Sequence, residues 1–154
     1  FKGSVPDFRQ KSGGGELFDI RPSFSEDEIY KRLDGYGEEG RRVYRYRNLT
    51  FDVVLPLALL HFMIPFALAA LAAVSSGRWP RLVVLSFPIA YVAFDLAENF
   101  AIAALVSRYP ERVHVLALAL PYVTVIKRMA SILALVVPLA LFAIAWSRRR
   151  FRSS

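Results

Sequence analysis

Long stretches of apolar residues fill the second half of the sequence and predict helices that cross a lipid bilayer. The first stretch covers residues 53–74 and the second covers residues 82–106. A helix rises about 1.5 Å per residue and the hydrocarbon core of a bilayer is about 30 Å thick, so each stretch is long enough for one crossing. The pattern predicts an all-α integral membrane protein whose helices form a bundle.

The third apolar stretch, residues 113–146, leaves the number of spans open between three and four. Only Lys127 and Arg128 interrupt it. Four spans would place the carboxyl-terminal arginines on the same side of the membrane as the basic residues before residue 48. Lys and Arg residues that flank spans collect on one side of a membrane, so the charge distribution favours four spans. However, residues 113–126 are fewer than the roughly 17 that a spanning helix needs, and no glycine or asparagine supplies a turn. We therefore expect three spans, with four as the alternative.

The first third of the chain is polar and predicts a flexible tail followed by short amphipathic helices. Residues 1–24 are rich in glycine and lack an apolar period, which predicts an extended tail that a partner holds in place. Ser25 and Glu28 have the spacing of a capping box at the start of a helix. The predicted regions are thus an extended tail (1–24), interfacial helices (25–47), a transmembrane domain (48–147) and a basic tail (148–154).

Composition agrees with a membrane protein that meets charged lipid. Hydrophobic residues make up 55% of the chain, and the mean hydropathy is +0.37. The net charge of +7 comes from basic residues that flank the apolar stretches, where they can meet lipid phosphates. Anionic phospholipid is therefore an expected partner and nucleic acid is not. The residues predicted at the headgroup level are Arg41, Arg42, Arg45, Arg47, Trp79, Arg148, Arg149 and Arg150.

Several polar side chains interrupt the apolar stretches and predict a buried network. An ionisable group at the bilayer centre costs about 2.5 to 3.5 kcal/mol unless it finds a partner. Asp95, Glu98 and Asn99 are three and four residues apart, so they share one helix face. We expect Lys127 to face the Asp95 and Glu98 carboxylates. The full predicted network is His61, Asp95, Glu98, Asn99, Thr124, Lys127 and Arg128.

Three roles for this network follow from its chemistry. It can fix the register of the helices, form a proton path or a site for a polar headgroup, or bind a neighbouring subunit. Haem ligation is not expected, because His61 and His114 lie at different depths in their apolar stretches. The absence of cysteine excludes disulfides and thiolate ligands. We predict no catalytic motif, no metal and no cofactor other than a bound phospholipid.

A set of short motifs resembles a family of small uncharacterised multi-pass membrane proteins. The motifs are Gly40 and Arg41 with Tyr44, Asp52 with Pro56, Asp95 with Glu98 and Asn99, Tyr109 with Pro110, and Thr124 with Lys127. The resemblance covers residues 35–146 and is most specific in the Asp-x-x-Glu-Asn triplet. It implies a helical membrane fold and carries no activity.

The leading functional hypothesis is a non-catalytic accessory subunit of a large energy-transducing membrane complex, expected in the mitochondrial inner membrane. Its helices would pack against other membrane subunits and lipids, and its tail would clamp a partner. The alternative is a small membrane enzyme or lipid-binding protein that uses the Asp95, Glu98 and Lys127 cluster as acid and base. A proton or ion conductor is disfavoured, because the second span offers no polar path to both surfaces.

Overall fold

A computed structural model describes residues 2–74 and 77–152. The described residues form helices and no strand. Phe1, at the start of the predicted tail, and Ser153 and Ser154, at the end of the predicted basic tail, lie outside this range. The helices are α1 (Val5–Lys11), α2 (Glu26–Gly35), α3 (Gly37–Leu49), α4 (Phe51–Ala73), α5 (Arg78–Arg108) and α6 (His114–Arg152).

The described residues contain three helices that are long and apolar enough to cross a membrane, which confirms the three-span prediction. Helix α6 runs for 39 residues without a break at Lys127 and Arg128. The four-span alternative is therefore wrong. A fourth span would need a turn at this point, and no glycine or asparagine is present to form one.

The predicted extended tail is wrong for residues 2–24, because this segment contains α1 and packs against its own chain. The Ser4 side chain caps α1 by accepting a hydrogen bond from the Asp7 N–H at 3.2 Å. Phe8, Leu17 and Phe18 are buried. Three widely spaced apolar anchors produce no helical period, yet they suffice to attach the segment to a larger core.

The amphipathic helices begin and end much as the sequence predicts. The Ser25 side chain caps α2 by accepting a hydrogen bond from the Glu28 N–H at 3.4 Å. The Glu28 carboxylate accepts a hydrogen bond from Ser23 at 2.8 Å. Gly37 connects α2 to α3 with a φ of 62°, a left-handed conformation that glycine adopts without steric cost.

The chain divides into two compact units. The amino-terminal unit comprises Phe1–Leu55 and Phe94–Val125. Its core joins α1, α2 and α3 to the end of α5 and the start of α6. Gly40 allows the close approach of α3 to the end of α1, because a Cβ atom there would lie 2.9 Å from the Ser12 Cβ. The buried core residues are Phe8, Leu17, Phe18, Ile29, Tyr30, Leu33, Tyr36, Val43, Tyr44, Ile102, Leu105, Val106, Ala117 and Leu120.

The span unit comprises Pro56–Ala93 and Ile126–Ser154. Small and branched residues of α4, α5 and α6 meet in its core, and the aromatic rings of Phe66 and Phe142 lie 5.7 Å apart. Among the three long helices, α5 has the largest buried share of its apolar segment. The apolar segments of α4 and α6 are mostly exposed. The residues of this core are Ala67, Leu71, Val84, Leu85, Val137 and Leu141.

Candidate functional site

The predicted polar residues of α5 lie in the amino-terminal unit, where Asn99 binds the backbone of α4. A proline has no N–H, so Pro56 deprives the Asp52 carbonyl of its usual donor within the helix. The Asn99 Nδ2 donates a hydrogen bond to this carbonyl at 2.6 Å and another to the Asp95 carboxylate at 3.0 Å. Asn99 is 4% exposed, so both bonds are shielded from solvent. Asn99 therefore replaces the bond that Pro56 removes.

Asp52 itself forms an ion pair at the junction of α3 and α4. Its carboxylate lies 3.0 Å from the Arg47 Nε, and both side chains are more than four-fifths buried. The Arg47 guanidinium also donates to the Gly3 carbonyl at 3.4 Å. This pair fixes the amino-terminal segment to the first turn of α4. Asp52 was not among the predicted site residues, although the proline four residues later was a usable signal.

Glu98 and Thr124 connect α5 to α6 and have no exposed surface. The Thr124 hydroxyl donates a hydrogen bond to the Glu98 carboxylate. The same hydroxyl oxygen lies 3.0 Å from the Leu120 carbonyl within α6. Two of the predicted network residues are thus brought together at a helix contact that no solvent-borne molecule can reach without displacing side chains.

These contacts fix the level of two α5 residues relative to the neighbouring helices. Asn99 is level with Asp52, in the first turn of α4, and Glu98 is level with Thr124. Asn99 therefore holds α5 against α4, and Glu98 holds it against α6.

His61, another residue of the predicted network, lies near the middle of α4. It follows Asp52 by nine residues of α4, which is about 14 Å along the helix axis. Its side chain is exposed, and its Nδ1 lies 2.8 Å from the Leu57 carbonyl. A carbonyl only accepts, so Nδ1 carries the hydrogen and the Nε2 of a neutral ring is an acceptor. A groove of about 310 Å³ surrounds this ring, lined by Leu60, His61, Ile64 and Pro65.

On α6, the Lys127 side chain is half-buried and the Arg128 side chain is exposed. Both residues interact within the described chain. They follow Thr124 by one helical turn, so their long side chains can extend toward the same end of the spans. The predicted pairing of Lys127 with Asp95 and Glu98 stays a prediction.

The arginines before α4 divide between the fold and the surface. Arg41 donates to the Leu33 carbonyl at 2.8 Å and stacks 4.2 Å from the centre of the Tyr109 ring. Arg47 is bound to Asp52, so both residues contribute contacts to the fold. Arg42 and Arg45 are exposed. The headgroup position of all four arginines stays a prediction.

The remaining predicted headgroup residues lie in the span unit, and all are exposed. Trp79 is in the first turn of α5, and Arg148, Arg149 and Arg150 are in the last turns of α6. The Arg150 guanidinium lies 4.2 Å from the centre of the Trp146 ring.

A scan of protein-family models finds no match to this chain, and searches of curated proteins and of solved structures find none either.

Proposed function

We propose that this chain is a non-catalytic subunit of a larger membrane complex and that α4 provides its docking face for a neighbouring transmembrane helix. The observation that carries the proposal is the exposed His61 near the middle of α4. Two hydrogen-bond acceptors lie at this position. One is the ring Nε2, and the other is the His61 carbonyl, because Pro65 lacks the N–H that would bond to it.

Lipid cannot satisfy these acceptors. Acyl chains carry no hydrogen-bond donor, and a polar group without a partner in an apolar medium costs about 1 to 3 kcal/mol. A neighbouring helix with a hydroxyl, amide or indole donor at this depth would satisfy them, and such contacts hold transmembrane helices together. The groove beside His61 gives that helix room to approach. The proposed partner is therefore a transmembrane helix that presents a donor to α4.

Burial of Glu98 supports a non-catalytic role. Glu98 has no exposed surface, and the Asn99 amide is engaged with Asp52 and Asp95. An acid or base must reach the proton that it transfers, so a wholly buried Glu98 is poorly placed for the enzyme alternative. From the sequence, we also propose that this complex is an energy-transducing assembly of the mitochondrial inner membrane.

Cross-linking and co-purification test this function together. A photo-reactive residue is placed at position 61, and a matched control is placed at Phe100, which is similarly exposed on α5. The chain is then extracted from its own membrane in mild detergent, and adducts are identified by mass spectrometry. We expect a stoichiometric protein adduct at position 61 and a weaker one at position 100.

A second pair of variants checks the chemistry of the contact. His61→Leu removes the outward acceptor, whereas His61→Gln keeps a carbonyl oxygen at the same position. We expect the partner to be lost from His61→Leu and retained by His61→Gln. A chain that purifies alone, fully folded, and gives only lipid adducts at position 61 would overturn the proposed function and direct attention back to an independent lipid-binding protein.

A further inference from the structure

A cluster of arginines lies where α4 ends, α5 begins and α6 ends. In the sequence, residues 53–94 and 112–154 contain no Asp or Glu, so these arginines have no carboxylate near them along the chain. Within the part of the chain that the structure describes, the side chains of Arg78, Arg81, Arg148 and Arg149 are exposed and show no ion pair. The arginines of this end are Arg78, Arg81, Arg148, Arg149, Arg150 and Arg152.

Several arginines of the amino-terminal unit, in contrast, have partners within the chain. Arg47 pairs with Asp52 at 3.0 Å, and Arg112 pairs with Asp27 at 2.6 Å. Arg32 donates to the Glu16 carbonyl at 2.8 Å. Arg148 and Arg149, for which the described residues show no ion pair, are available to an anion outside the protein.

A cavity of about 680 Å³ lies beside Arg148 and Arg149. Its apolar wall comes from Ala73, Val74, Ala145 and Phe151, and its polar rim comes from the two arginines and Ser147. Every lining residue belongs to the span unit. The combination of an apolar wall and a cationic rim matches an amphiphile that joins a hydrocarbon chain to an anionic head.

Two tryptophans indicate the depth of this cavity in the membrane. Trp79 and Trp146 are exposed at the ends of α5 and α6. Tryptophan concentrates at the headgroup level, where its ring is apolar and its N–H meets polar groups. Guanidinium groups at that level can bind a phosphate through two parallel hydrogen bonds.

We propose that this cavity binds an anionic phospholipid. Arg148 and Arg149 would bind the phosphate, and the part of an acyl chain nearest the headgroup would pack against Ala73 and Phe151. The charge of the arginine cluster selects a lipid with net negative charge over a zwitterionic one. This site is separate from the α4 docking face, so either proposal can fail without the other.

The test uses the full chain in bilayer nanodiscs of equimolar phosphatidylglycerol and phosphatidylcholine, with retained lipid read by native mass spectrometry. The test variant is Arg148→Gln with Arg149→Gln. The control is Arg9→Gln with Arg21→Gln, two exposed arginines of the amino-terminal segment whose loss changes the net charge equally. We expect the wild type and the control to retain phosphatidylglycerol in preference to phosphatidylcholine. In the test variant, the ratio of retained phosphatidylglycerol to phosphatidylcholine should be about tenfold lower.

A steric variant separates the cavity from the charge. Ala73→Trp fills the wall of the cavity and leaves all arginines in place, so it should also release phosphatidylglycerol. Far-ultraviolet circular dichroism checks that each variant keeps its helices. Equal retention of the two lipids by the wild type, equal loss in both double variants, or undiminished binding by Ala73→Trp would each overturn the proposal. Binding of inorganic phosphate by a chain that retains neither lipid would also overturn it, because a free anion would then be the ligand.

Discussion

The Asn99 side chain donates a hydrogen bond to the Asp52 carbonyl, the one carbonyl at the start of α4 that Pro56 leaves without a helical donor. A proline in one helix and an asparagine in another are thus complementary. The bond also gives the depth of α5 relative to the beginning of α4. It anchors α5 to α4 through Asn99.

The first prediction is that Asn99 and Pro56 are energetically coupled. Asn99→Leu should lower the free energy of unfolding by about 2 kcal/mol, because the buried Asp52 carbonyl loses its donor. Pro56→Ala restores a backbone N–H to that carbonyl. In the Pro56→Ala background, Asn99→Leu should therefore cost about 1 kcal/mol less. A double-mutant cycle of unfolding in mixed micelles measures the coupling, and additive effects of the two substitutions would contradict it.

The second prediction concerns the close approach of α3 to the end of α1. A Cβ atom at Gly40 would lie 2.9 Å from the Ser12 Cβ and 3.0 Å from the Ser12 Cα, so backbone must move. Gly40→Ala should destabilise the protein by about 1 to 3 kcal/mol.

Gly35→Ala is the matched control for Gly40→Ala. No heavy atom lies within 4 Å of a Cβ at Gly35, in the last turn of α2. Alanine there should be neutral or stabilising by up to about 1 kcal/mol. Thermal unfolding followed by circular dichroism compares the two variants. Equal melting temperatures would show that α1 does not pack tightly against α3.

The spans and the cap of α2 could be predicted from sequence because each depends on neighbouring residues. A run of apolar residues fixes a crossing by its length, and Ser25 caps its helix with a side chain three residues from the N–H that it binds. Neither feature requires knowledge of a distant contact.

The fold of residues 2–24 and the level of Asn99 relative to α4 could not be predicted in this way. Phe8 is buried by Tyr36 and Tyr44, whose ring centres lie 5.1 and 5.0 Å away, and these partners are far along the chain. The depth of Asn99 follows from a bond to a residue 47 positions earlier. Apolar length alone cannot show which part of a 31-residue helix lies in the hydrocarbon.

The third prediction is that alkaline pH unfolds the amino-terminal unit. Burial raises the pKa of Tyr36 above its ordinary value of 10.0, and its hydroxyl donates to the Glu16 carbonyl. A raised pKa means that the folded state holds this proton more tightly than the unfolded state. The stability that Tyr36 contributes is therefore complete below about pH 10 and is lost as the pH rises through the raised value.

Two variants isolate the contribution of Tyr36. Tyr36→Phe should cost about 1 kcal/mol near neutral pH, because one hydrogen bond is lost, and should weaken the fall in stability above pH 10. Tyr122→Phe, at an exposed tyrosine of α6, should leave both quantities unchanged. Unfolding midpoints across the alkaline range measure the effect. Parallel pH profiles for the wild type and Tyr36→Phe would rule out Tyr36 as the titrating group.

The fourth prediction tests whether the Thr124 hydroxyl holds α5 to α6 through Glu98. Thr124→Val keeps the shape of the side chain and removes the donor, which leaves a buried carboxyl without this bond and should cost about 2 kcal/mol or more. Thr124→Ser keeps the hydroxyl and removes one methyl group, so its cost should be about 1 kcal/mol. Unfolding of both variants in the same micelles gives the comparison. If Thr124→Ser proved the more harmful change, methyl packing and not the hydrogen bond would be the stabilising contact between these helices.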